Sequence, residues 1–295
     1  MTPFGPMRLA VCALAIGSSA ASARPTYLSE IKEVFPAQFV KAAYGQMTQG
    51  GLVILELQPN TALEFEGEAI VADRNLAVIG FDRDHGQQAS FRFQHRHGAD
   101  SLDLALAIAP QSYDIQRIDG LPPKYVSPPP EALEKIKRDV ELKQRARRDI
   151  TADTAFAEGF RWPLTGVITG HYGSQRFYNG EARRPHYGVD IAAPAGTAII
   201  AAAPGRVTLA EEDMYFEGGL VFIDHGQGLT SIYMHMGKIS VTPGMQVQAG
   251  MKIGEVGSTG RSTGAHLDWR LQWRGRQLNP ALVVPPMSEA EAGPE

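Results

Sequence analysis

Cysteine is almost absent from this sequence, since Cys12 is the single cysteine among 295 residues. A chain with one thiol forms no internal disulfide, and it offers no pair of thiolates to a zinc ion. Cys12 also lies in a short apolar run near the N-terminus, so the chain that follows this run contains no thiol. Thiol catalysis and cysteine-bound zinc are therefore excluded, and a bound metal must be held by His, Asp or Glu.

The sequence also lacks a long apolar run and an excess of basic residues. Residues 9–17 form a short apolar stretch, well below the ~20 residues that span a bilayer, so we expect a mature chain without a membrane segment. The 28 Lys and Arg against 32 Asp and Glu give a formal net charge of −4, which argues against a nucleic-acid partner. The 43% of hydrophobic residues is typical of a globular protein.

The N-terminus has the features of a secretory signal over residues 1–23. Arg8 supplies a positive charge, residues 9–17 (LAVCALAIG) supply the apolar core, and Ala21-Ser22-Ala23 matches an A-x-A cleavage site. We therefore expect cleavage after Ala23 and export to the periplasm or the extracellular cell envelope.

The first half of the mature chain is predicted to be β-rich. Residues 24–45 are interpreted as a lead-in, with a short helix over 28–35. Short apolar runs separated by Gly, Asp and Asn predict a small antiparallel β-rich domain over 46–118. Five prolines in 119–130 predict a linker with little capacity to form a helix.

A charged helix is predicted over 131–158, because Leu133, Ile136 and Val140 recur at helical spacing. Seven Lys and Arg lie within 135–148, and several of them follow an acidic residue by four positions, which supports a helix. We interpret these charges as a solvated face. Contact with an anionic wall polymer or a lipid surface is the alternative that the sequence leaves open.

The C-terminal part of the chain returns to a β pattern. Between 160 and 284 the sequence is rich in Gly and Pro-Gly turn signals, with no helix of ordinary length. Residues 285–295 are interpreted as a disordered tail. The predicted fold class is therefore mainly β, with an antiparallel C-terminal sheet preceded by a small β domain and a charged helix.

Histidine and aspartate recur at short spacings in this C-terminal part. His186 and Asp190 form H-x-x-x-D, and His266 and Asp268 form H-x-D, so each pair shares one face of an extended chain. Two such strands side by side would bring two imidazoles and two carboxylates together. These ligand types suit Zn²⁺, whose catalytic sites combine three protein ligands with a water molecule. A further imidazole that does not bind the metal can act as a general base.

Residues 160–284 resemble the M23 (LytM/lysostaphin-type) zinc metallopeptidases of bacterial cell walls. The resemblance lies in HYGVDIAAPAGTAIIAAAPGRV, VFIDHGQGLTSIYMHM and VQAGMKIGEVGSTGRSTGAHLDWRL, which follow one another in the family's order. The segment GGLVILELQPN…AVIGFDRDH is similar to a β-rich domain that precedes the peptidase in some exported members. The resemblance implies an antiparallel β peptidase domain that hydrolyses peptide cross-links of peptidoglycan.

The resemblance also implies a role for each residue of the motif. His186 and Asp190 correspond to two zinc ligands, and His235 and His266 to two catalytic histidines. Asp268 stands where the family has a third, histidine ligand, so the predicted ligand set is His186, Asp190 and Asp268. Two carboxylates cancel the charge of Zn²⁺, so the bound water is expected to be less acidic. Arg270 alternates to the same face and is placed to pair with Asp268, in competition with the metal.

Two alternative functions come from specific residues. Asp268 motivates a weakly active or inactive regulator, or a wall-binding protein, that keeps the peptidase fold. Lys252 in GMKIG is similar to the modified lysine of a biotinyl or lipoyl carrier, although such a function leaves His186 and Asp190 unexplained.

The other histidines and one loop are interpreted more simply. His225, beside a Gly turn, is interpreted as structural. His171 and the strand-end histidines are interpreted as surface residues: His85, His95 and His97. A candidate loop for substrate contact is defined by its position alone and contains Tyr172, Arg176 and Tyr178.

Overall fold

A computed structural model describes residues 28–31, 34–96, 100–119 and 128–287. The predicted signal (1–23), most of the predicted linker (120–127) and most of the predicted tail (288–295) lie outside the described residues. No helix in the described part of the chain is long and apolar enough to cross a bilayer.

The N-terminal half is built from β-strands, as predicted. Its described strands are β1 (Val40–Gly45), β2 (Leu52–Leu57), β3 (Thr61–Phe65), β4 (Glu68–Ile70), β5 (Leu76–Gly80), β6 (Gln88–His95), β7 (Ser101–Ala107) and β8 (Ile115–Ile118). β1, β2 and β5 form one antiparallel sheet, and β4, β3, β6 and β7 form a second. In β6 the buried residues Ala89, Phe91 and Phe93 alternate with exposed ones, which is the pattern of a strand with one face on the core.

The C-terminal half is one large sheet with a smaller one beside it. Its strands are β9 (Val167–Gly170), β10 (Gln175–Tyr178), β11 (Glu181–Ala182), β12 (Val189–Ala192), β13 (Ala198–Ile200), β14 (Gly205–Met214), β15 (Gly218–Asp224), β16 (Leu229–Ile239), β17 (Gln246–Val247), β18 (Lys252–Val256), β19 (His266–Trp273) and β20 (Arg276–Leu278). The large antiparallel sheet has the order β17-β14-β15-β16-β19-β12-β9. β18 pairs with both β13 and β16, and β20 pairs with β19.

The strand β8 connects the two halves. It pairs in parallel with β10, whose other neighbour is β11, so residues 115–118 complete a sheet with residues 175–182. The end of the predicted N-terminal domain therefore pairs with a strand of the predicted peptidase region. This long-range parallel pairing leaves no local signal in the sequence.

The two halves also share one hydrophobic core. The rings of Phe65 and Trp273 meet edge to face, with centroids 5.8 Å apart. Gln227 is fully buried, and its amide accepts a hydrogen bond from the Val78 N–H at 3.1 Å and donates one to the Leu76 carbonyl at 2.9 Å. The N-terminal strands are therefore packed and hydrogen-bonded against the large sheet.

The predicted helix is present but shorter than 131–158. A 3₁₀ turn, Pro130–Ala132, leads into α1 (Leu133–Ala146), and further 3₁₀ turns span Ala155–Glu158 and Pro280–Val283. The helix ends early because the following segment is held by the large sheet. The Thr151 hydroxyl donates to Asp224 at 3.1 Å, and the Gln227 N–H donates to the Thr151 carbonyl at 2.9 Å.

The orientation of α1 also differs from the prediction. Leu133 and Val140, which define the predicted apolar stripe, are 54% and 42% exposed. The buried side is formed by Asp139, Leu142 and Ala146, which face the large sheet. Asp139 accepts the backbone N–H of Tyr215 at 2.7 Å, so this contact between helix and sheet includes a buried polar bond.

The short helix predicted over 28–35 is wrong for the residues described there. Glu30 forms a bridge with Tyr44, and the Ile31 N–H donates to the Ala43 carbonyl at 2.8 Å. Pairing with the edge of β1 satisfies the backbone of this segment, so tertiary contact overrides its helical pattern.

Candidate metal centre

Two neighbouring strands of the large sheet bring the predicted residues together. β12 and β19 pair antiparallel, with Asp190 opposite Asp268 and Ala192 opposite His266. Directly opposite residues share one face of a sheet, so the two carboxylates lie side by side. His186 lies four residues before Asp190, and its backbone is held by hydrogen bonds with Ser174 at 2.9 Å and Gly173 at 2.7 Å.

These residues form a compact cluster of donor atoms. One ligand atom from each of His186, Asp190 and Asp268 lies within 4.8 Å of the other two. His186 Nε2 approaches Asp190 Oδ1 to 3.1 Å, but the two atoms lack the alignment of a hydrogen bond. Among the described residues, this is the group of three or more His, Cys, Asp and Glu side chains arranged to hold a metal ion.

Several of these atoms are buried without a partner. Both ring nitrogens of His186 and Oδ1 of Asp190 have no hydrogen bond to any residue that the structure describes. A buried polar atom without a partner costs roughly 1–3 kcal/mol, so these atoms call for a ligand. Zn²⁺ is held by imidazole nitrogen and carboxylate oxygen in this way, and the donor set fits it.

Asp268 is paired with Arg270, as the alternation along β19 predicts. The guanidinium donates from Nε to Oδ1 at 3.0 Å and to Oδ2 at 3.2 Å, and from Nη2 to Oδ2 at 2.7 Å. Burial alone would raise the pKa of Asp268, but the charges of Arg270 and His186 hold it well below its usual range. The carboxylate is therefore ionised near neutral pH.

A second arginine contacts the other carboxylate. Arg176 on β10 donates from Nη2 to Asp190 Oδ2 at 3.2 Å and from Nε to Gln116 Oε1 at 3.2 Å. Arg176 belongs with Tyr172 and Tyr178 to the predicted loop for substrate contact. Tyr172 is instead buried, with its hydroxyl donating to the Gln277 carbonyl at 2.7 Å, so a substrate contact by this ring is wrong. The side chain of Tyr178 lies outside the described residues.

Two glycines make room for the carboxylates. A Cβ on Gly170 would lie 2.3 Å from Asp190 Oδ2, and a Cβ on Gly188 would lie 2.2 Å from Asp268 Oδ1. Neither distance allows a side chain. The sequence alone does not identify these two residues, because a glycine that makes room for a neighbouring side chain looks the same in a sequence as a glycine in a turn.

The imidazoles of His235 and His266 lie beside the carboxylates, with ring centroids 4.8 Å apart. Nδ1 of His235 is 2.9 Å from the Thr259 carbonyl, and Nδ1 of His266 is 2.9 Å from the Gly264 carbonyl. A carbonyl accepts only, so each Nδ1 carries a proton in the neutral ring and Nε2 has the free lone pair. Nε2 of His266 is 3.9 Å from Asp190 Oδ1.

His235 reaches this position through a strained backbone. Its φ is +62°, which is rare for a residue with a side chain. The register between β15 and β16 shifts between the pairs Gly219–Met236 and Val221–Tyr233, which marks a β-bulge around His235. Strain of this kind persists where the surrounding structure imposes it, and it is concentrated at functional sites. Burial lowers the pKa of His235, so its ring is neutral near pH 7.

Helix α1 covers the same face of the sheet next to this cluster. Met234 lies directly opposite Asp268 on the neighbouring strand, so the two side chains share a face. Met234 belongs to a buried cluster against which Leu142 and Ala146 of α1 pack. Helix α1 therefore covers the part of this sheet face that lies beside the cluster.

The remaining histidines are apart from the cluster. His225 is fully buried between the Pro204 carbonyl at 2.6 Å and Ser231 Oγ at 2.7 Å, which confirms its structural role. Burial lowers the pKa of His225 to about 4. The predicted surface position of His85 is wrong, because its ring is buried 3.0 Å from Glu66 Oε1.

His95 packs on the ring of Phe39 at 4.8 Å and is half-buried, and His171 is exposed, as predicted. His97 lies outside the described residues. Lys252, the residue of the carrier alternative, lies at the start of β18 and pairs with Glu255 at 2.7 Å.

The comparison with protein families gives a match over the same region. Residues 184–280 match the profile of Peptidase family M23. A solved structure of a Pseudomonas aeruginosa protein assigned to peptidase M23 is 26% identical, with a TM-score of 0.61, and the match covers 81% of this chain and 95% of that one. The likeness to this structure therefore extends beyond residues 184–280 into the N-terminal strands.

Two curated relatives differ in what they are named for. The murein hydrolase activator NlpD of Salmonella typhimurium is 33% identical over 135 residues, which cover 46% of this chain and 34% of NlpD. The peptidoglycan DD-endopeptidase ShyA of Vibrio cholerae is 39% identical over 106 residues, which cover 36% of this chain and 24% of ShyA. The chain thus matches about a third or less of the length of these relatives.

Proposed function

Because residues 184–280 form a peptidase family M23 domain, we propose that this chain is a zinc-dependent endopeptidase that hydrolyses the peptide cross-links of bacterial peptidoglycan. The observation that carries the proposal is the cluster of His186, Asp190 and Asp268. Its unpartnered nitrogen and oxygen atoms lie beside two further imidazoles with free Nε2 atoms. This is the set of groups that a metal-dependent peptidase requires.

In this proposal His186, Asp190 and Asp268 hold the zinc ion. When bound, Zn²⁺ polarises a peptide carbonyl and makes a water molecule more acidic. Arg176 and Arg270 keep the two carboxylates in place through the hydrogen bonds described above. The domain thus supplies three ligands of the types found in catalytic zinc sites.

His235 and His266 are the proposed proton carriers. Because burial keeps His235 neutral and its Nδ1–H donates to Thr259, Nε2 is ready to accept a proton from the attacking water. His266 presents its Nε2 3.9 Å from Asp190 Oδ1. Whichever ring becomes protonated can then donate to the leaving amine or to the oxyanion of the tetrahedral intermediate.

Peptidoglycan is proposed as the substrate from the named activities of the relatives and from the predicted signal. ShyA is named a peptidoglycan DD-endopeptidase, and its matched 106 residues are 39% identical to this chain. Export after cleavage at Ala23 would deliver the chain to the cell envelope, where this polymer lies.

A second candidate function is regulation of other wall hydrolases. The observation that favours it is the fork, meaning the set of hydrogen bonds from the Arg270 guanidinium to both carboxylate oxygens of Asp268, a proposed ligand. NlpD, named a murein hydrolase activator, is similar to this chain over 135 residues. In this case the domain would keep the surface around the cluster for binding, without turnover.

The two functions are separated by a cleavage assay on purified cross-linked muropeptides. We would incubate the zinc-loaded protein with these substrates and identify the products by mass spectrometry, with Asp190→Ala as the inactive variant and Lys252→Met as a matched surface control. Conversion of dimers to monomers by the wild type and Lys252→Met, but not by Asp190→Ala, supports the endopeptidase. Intact dimers with a folded, zinc-bound wild type favour the regulator.

A further inference from the structure

We infer that Arg270 is a positioning residue that neutralises Asp268, so that the Asp268–Arg270 pair serves the metal as an uncharged ligand, as a histidine would. The inference rests on the proposed function, because it concerns the same metal site. It resolves the excess of negative charge that a second carboxylate brings to the site.

The pair has the geometry of a fixed unit. The two residues alternate on one face of β19, and three hydrogen bonds of 2.7–3.2 Å join the guanidinium to both carboxylate oxygens. The Asp268 side chain is 5% exposed and that of Arg270 is 27% exposed. The two hydrogen-bonded contacts of a bidentate pair fix the relative geometry of its side chains. Because the pair is largely buried, salt screens the attraction between its charges less than in a surface ion pair.

The fork does not exclude a metal ion. An ionised carboxylate offers about four lone-pair sites. The guanidinium donates once to Oδ1 and twice to Oδ2, so about one site, on Oδ1, remains for a metal ion. One oxygen of Asp268 still lies within 4.8 Å of the ligand atoms of His186 and Asp190. Carboxylates that bind metals are commonly hydrogen-bonded on their other side, so the fork and the metal can share Asp268.

The expected effect of Arg270 on zinc binding follows from the formal charges of the three ligands. Asp190 and Asp268 contribute two negative charges to the three ligands, and of these two carboxylates Arg176 contacts only that of Asp190, through one hydrogen bond of 3.2 Å. With a histidine at position 268 the three ligands would carry one negative charge fewer. The guanidinium of Arg270 stays charged and removes this difference. Removing it should leave the metal facing an uncompensated carboxylate.

The loss of Arg270 is expected to change the zinc affinity in the direction opposite to the loss of a typical ligand partner. A typical partner of a metal ligand raises the ligand's basicity, and its loss weakens metal binding about 10–100-fold. Arg270 withdraws negative charge from the ligand instead. Its loss should tighten zinc binding and, because the metal becomes a weaker Lewis acid, slow the hydrolysis.

The test is a series of Zn²⁺ affinities measured by competition with a chromophoric chelator. Arg270→Met should bind Zn²⁺ more tightly than the wild type, by about tenfold or more. Asp268→His should bind it more weakly, and the double variant Asp268→His, Arg270→Met should return close to the wild type. Arg270→Lys, which keeps the charge without the fork, should also stay close to the wild type. Lys252→Met, which removes an exposed charge, serves as the matched control and should not change.

The second readout is the cleavage rate at saturating Zn²⁺, which should fall about tenfold in Arg270→Met. Weaker zinc binding by Arg270→Met would overturn the inference, because Arg270 would then only hold Asp268 in place. Tighter binding with faster cleavage would also overturn it, since Arg270 would then be a competitor of the metal. If no variant and no wild type cleaves, the proposed function fails, while the order of zinc affinities still tests the role of Arg270.

Discussion

Asp190 and Asp268 face each other across the pair of strands β12 and β19, and each carboxylate is held by its own arginine. Two carboxylates this close repel each other unless cations lie between or beside them. Arg176 donates to one oxygen of Asp190 and Arg270 to both oxygens of Asp268, while Oδ1 of Asp190 and both ring nitrogens of His186 have no hydrogen bond to any described residue. The two guanidinium groups therefore compensate the carboxylates in part, and the donor atoms without a partner can bind a metal cation as well.

Gly188 is expected to be essential for the position of Asp268. A Cβ at this residue would lie 2.2 Å from Asp268 Oδ1 and 2.9 Å from the Trp269 carbonyl, so Gly188→Ala must displace the carboxylate. We expect zinc affinity to fall about 10–100-fold in a protein that still folds. Chelator competition measures it, with Gly86→Ala as control, since the nearest atom to a Cβ there is 3.9 Å away. Equal zinc affinities of the two variants would refute this role.

The backbone strain at His235 predicts an unusual order of stabilities. His235→Ala and His235→Gly both remove the imidazole, but only Gly adopts a φ near +62° without a steric cost. We expect the Gly variant to be about 1 kcal/mol more stable than the Ala variant in urea denaturation. Both should lose cleavage activity by about 10²–10⁴-fold while they keep their zinc affinity. A more stable Ala variant would show that the bulge is not strained.

Asp139 is expected to anchor α1 to the large sheet. Its buried carboxylate accepts the Tyr215 N–H at 2.7 Å, and Asp139→Ala would leave this donor without a partner. We expect a loss of about 1–3 kcal/mol in the free energy of unfolding. Asp139→Asn keeps an acceptor and should recover much of this loss. Asp149→Ala, at an exposed position just beyond α1, is the control and should stay within about 0.5 kcal/mol of the wild type.

The buried His225 predicts a loss of stability in acid. Its pKa falls from 6.5 to about 4 on folding, because burial disfavours the charged ring. As the pH falls below 6.5, His225 becomes protonated in the unfolded chain. In the folded protein it becomes protonated only near pH 4. The free energy of unfolding is therefore highest above pH 6.5, and this residue alone removes roughly 3 kcal/mol of it by pH 4.

Urea denaturation at pH 7 and pH 4.5 measures this contribution. His225→Asn cannot titrate in this range, so the wild type should lose about 2 kcal/mol more than the variant between the two pH values. Parallel losses in the two proteins would mean that His225 is protonated in the folded state.

The meeting of His186, Asp190, His266 and Asp268 was predictable from the sequence because it depends on local geometry. Alternation along two strands places each pair on one face, and the same rule predicts the contact of Arg270 with Asp268. Only the adjacency of β12 and β19 had to be supplied by the fold.

Other features depend on tertiary contacts that local patterns do not encode. Arg176 reaches Asp190 because β10 pairs with the distant β8. α1 ends at Ala146 because Thr151 is captured by Asp224, although the helical pattern continues. His235 faces the cluster through a bulge, whereas simple alternation would place it on the face opposite to Met234.

The most direct measurement for the account is a crystal structure of the zinc-loaded protein with anomalous data at the zinc edge. We expect one anomalous peak bonded to His186, Asp190 and Asp268 at ~2.0–2.2 Å, with Arg270 still paired to Asp268. His235 and His266 should lie beside the peak without bonding to it. The absence of a peak at saturating Zn²⁺, or a peak bonded to other residues with Asp268 held by Arg270 alone, would contradict the account.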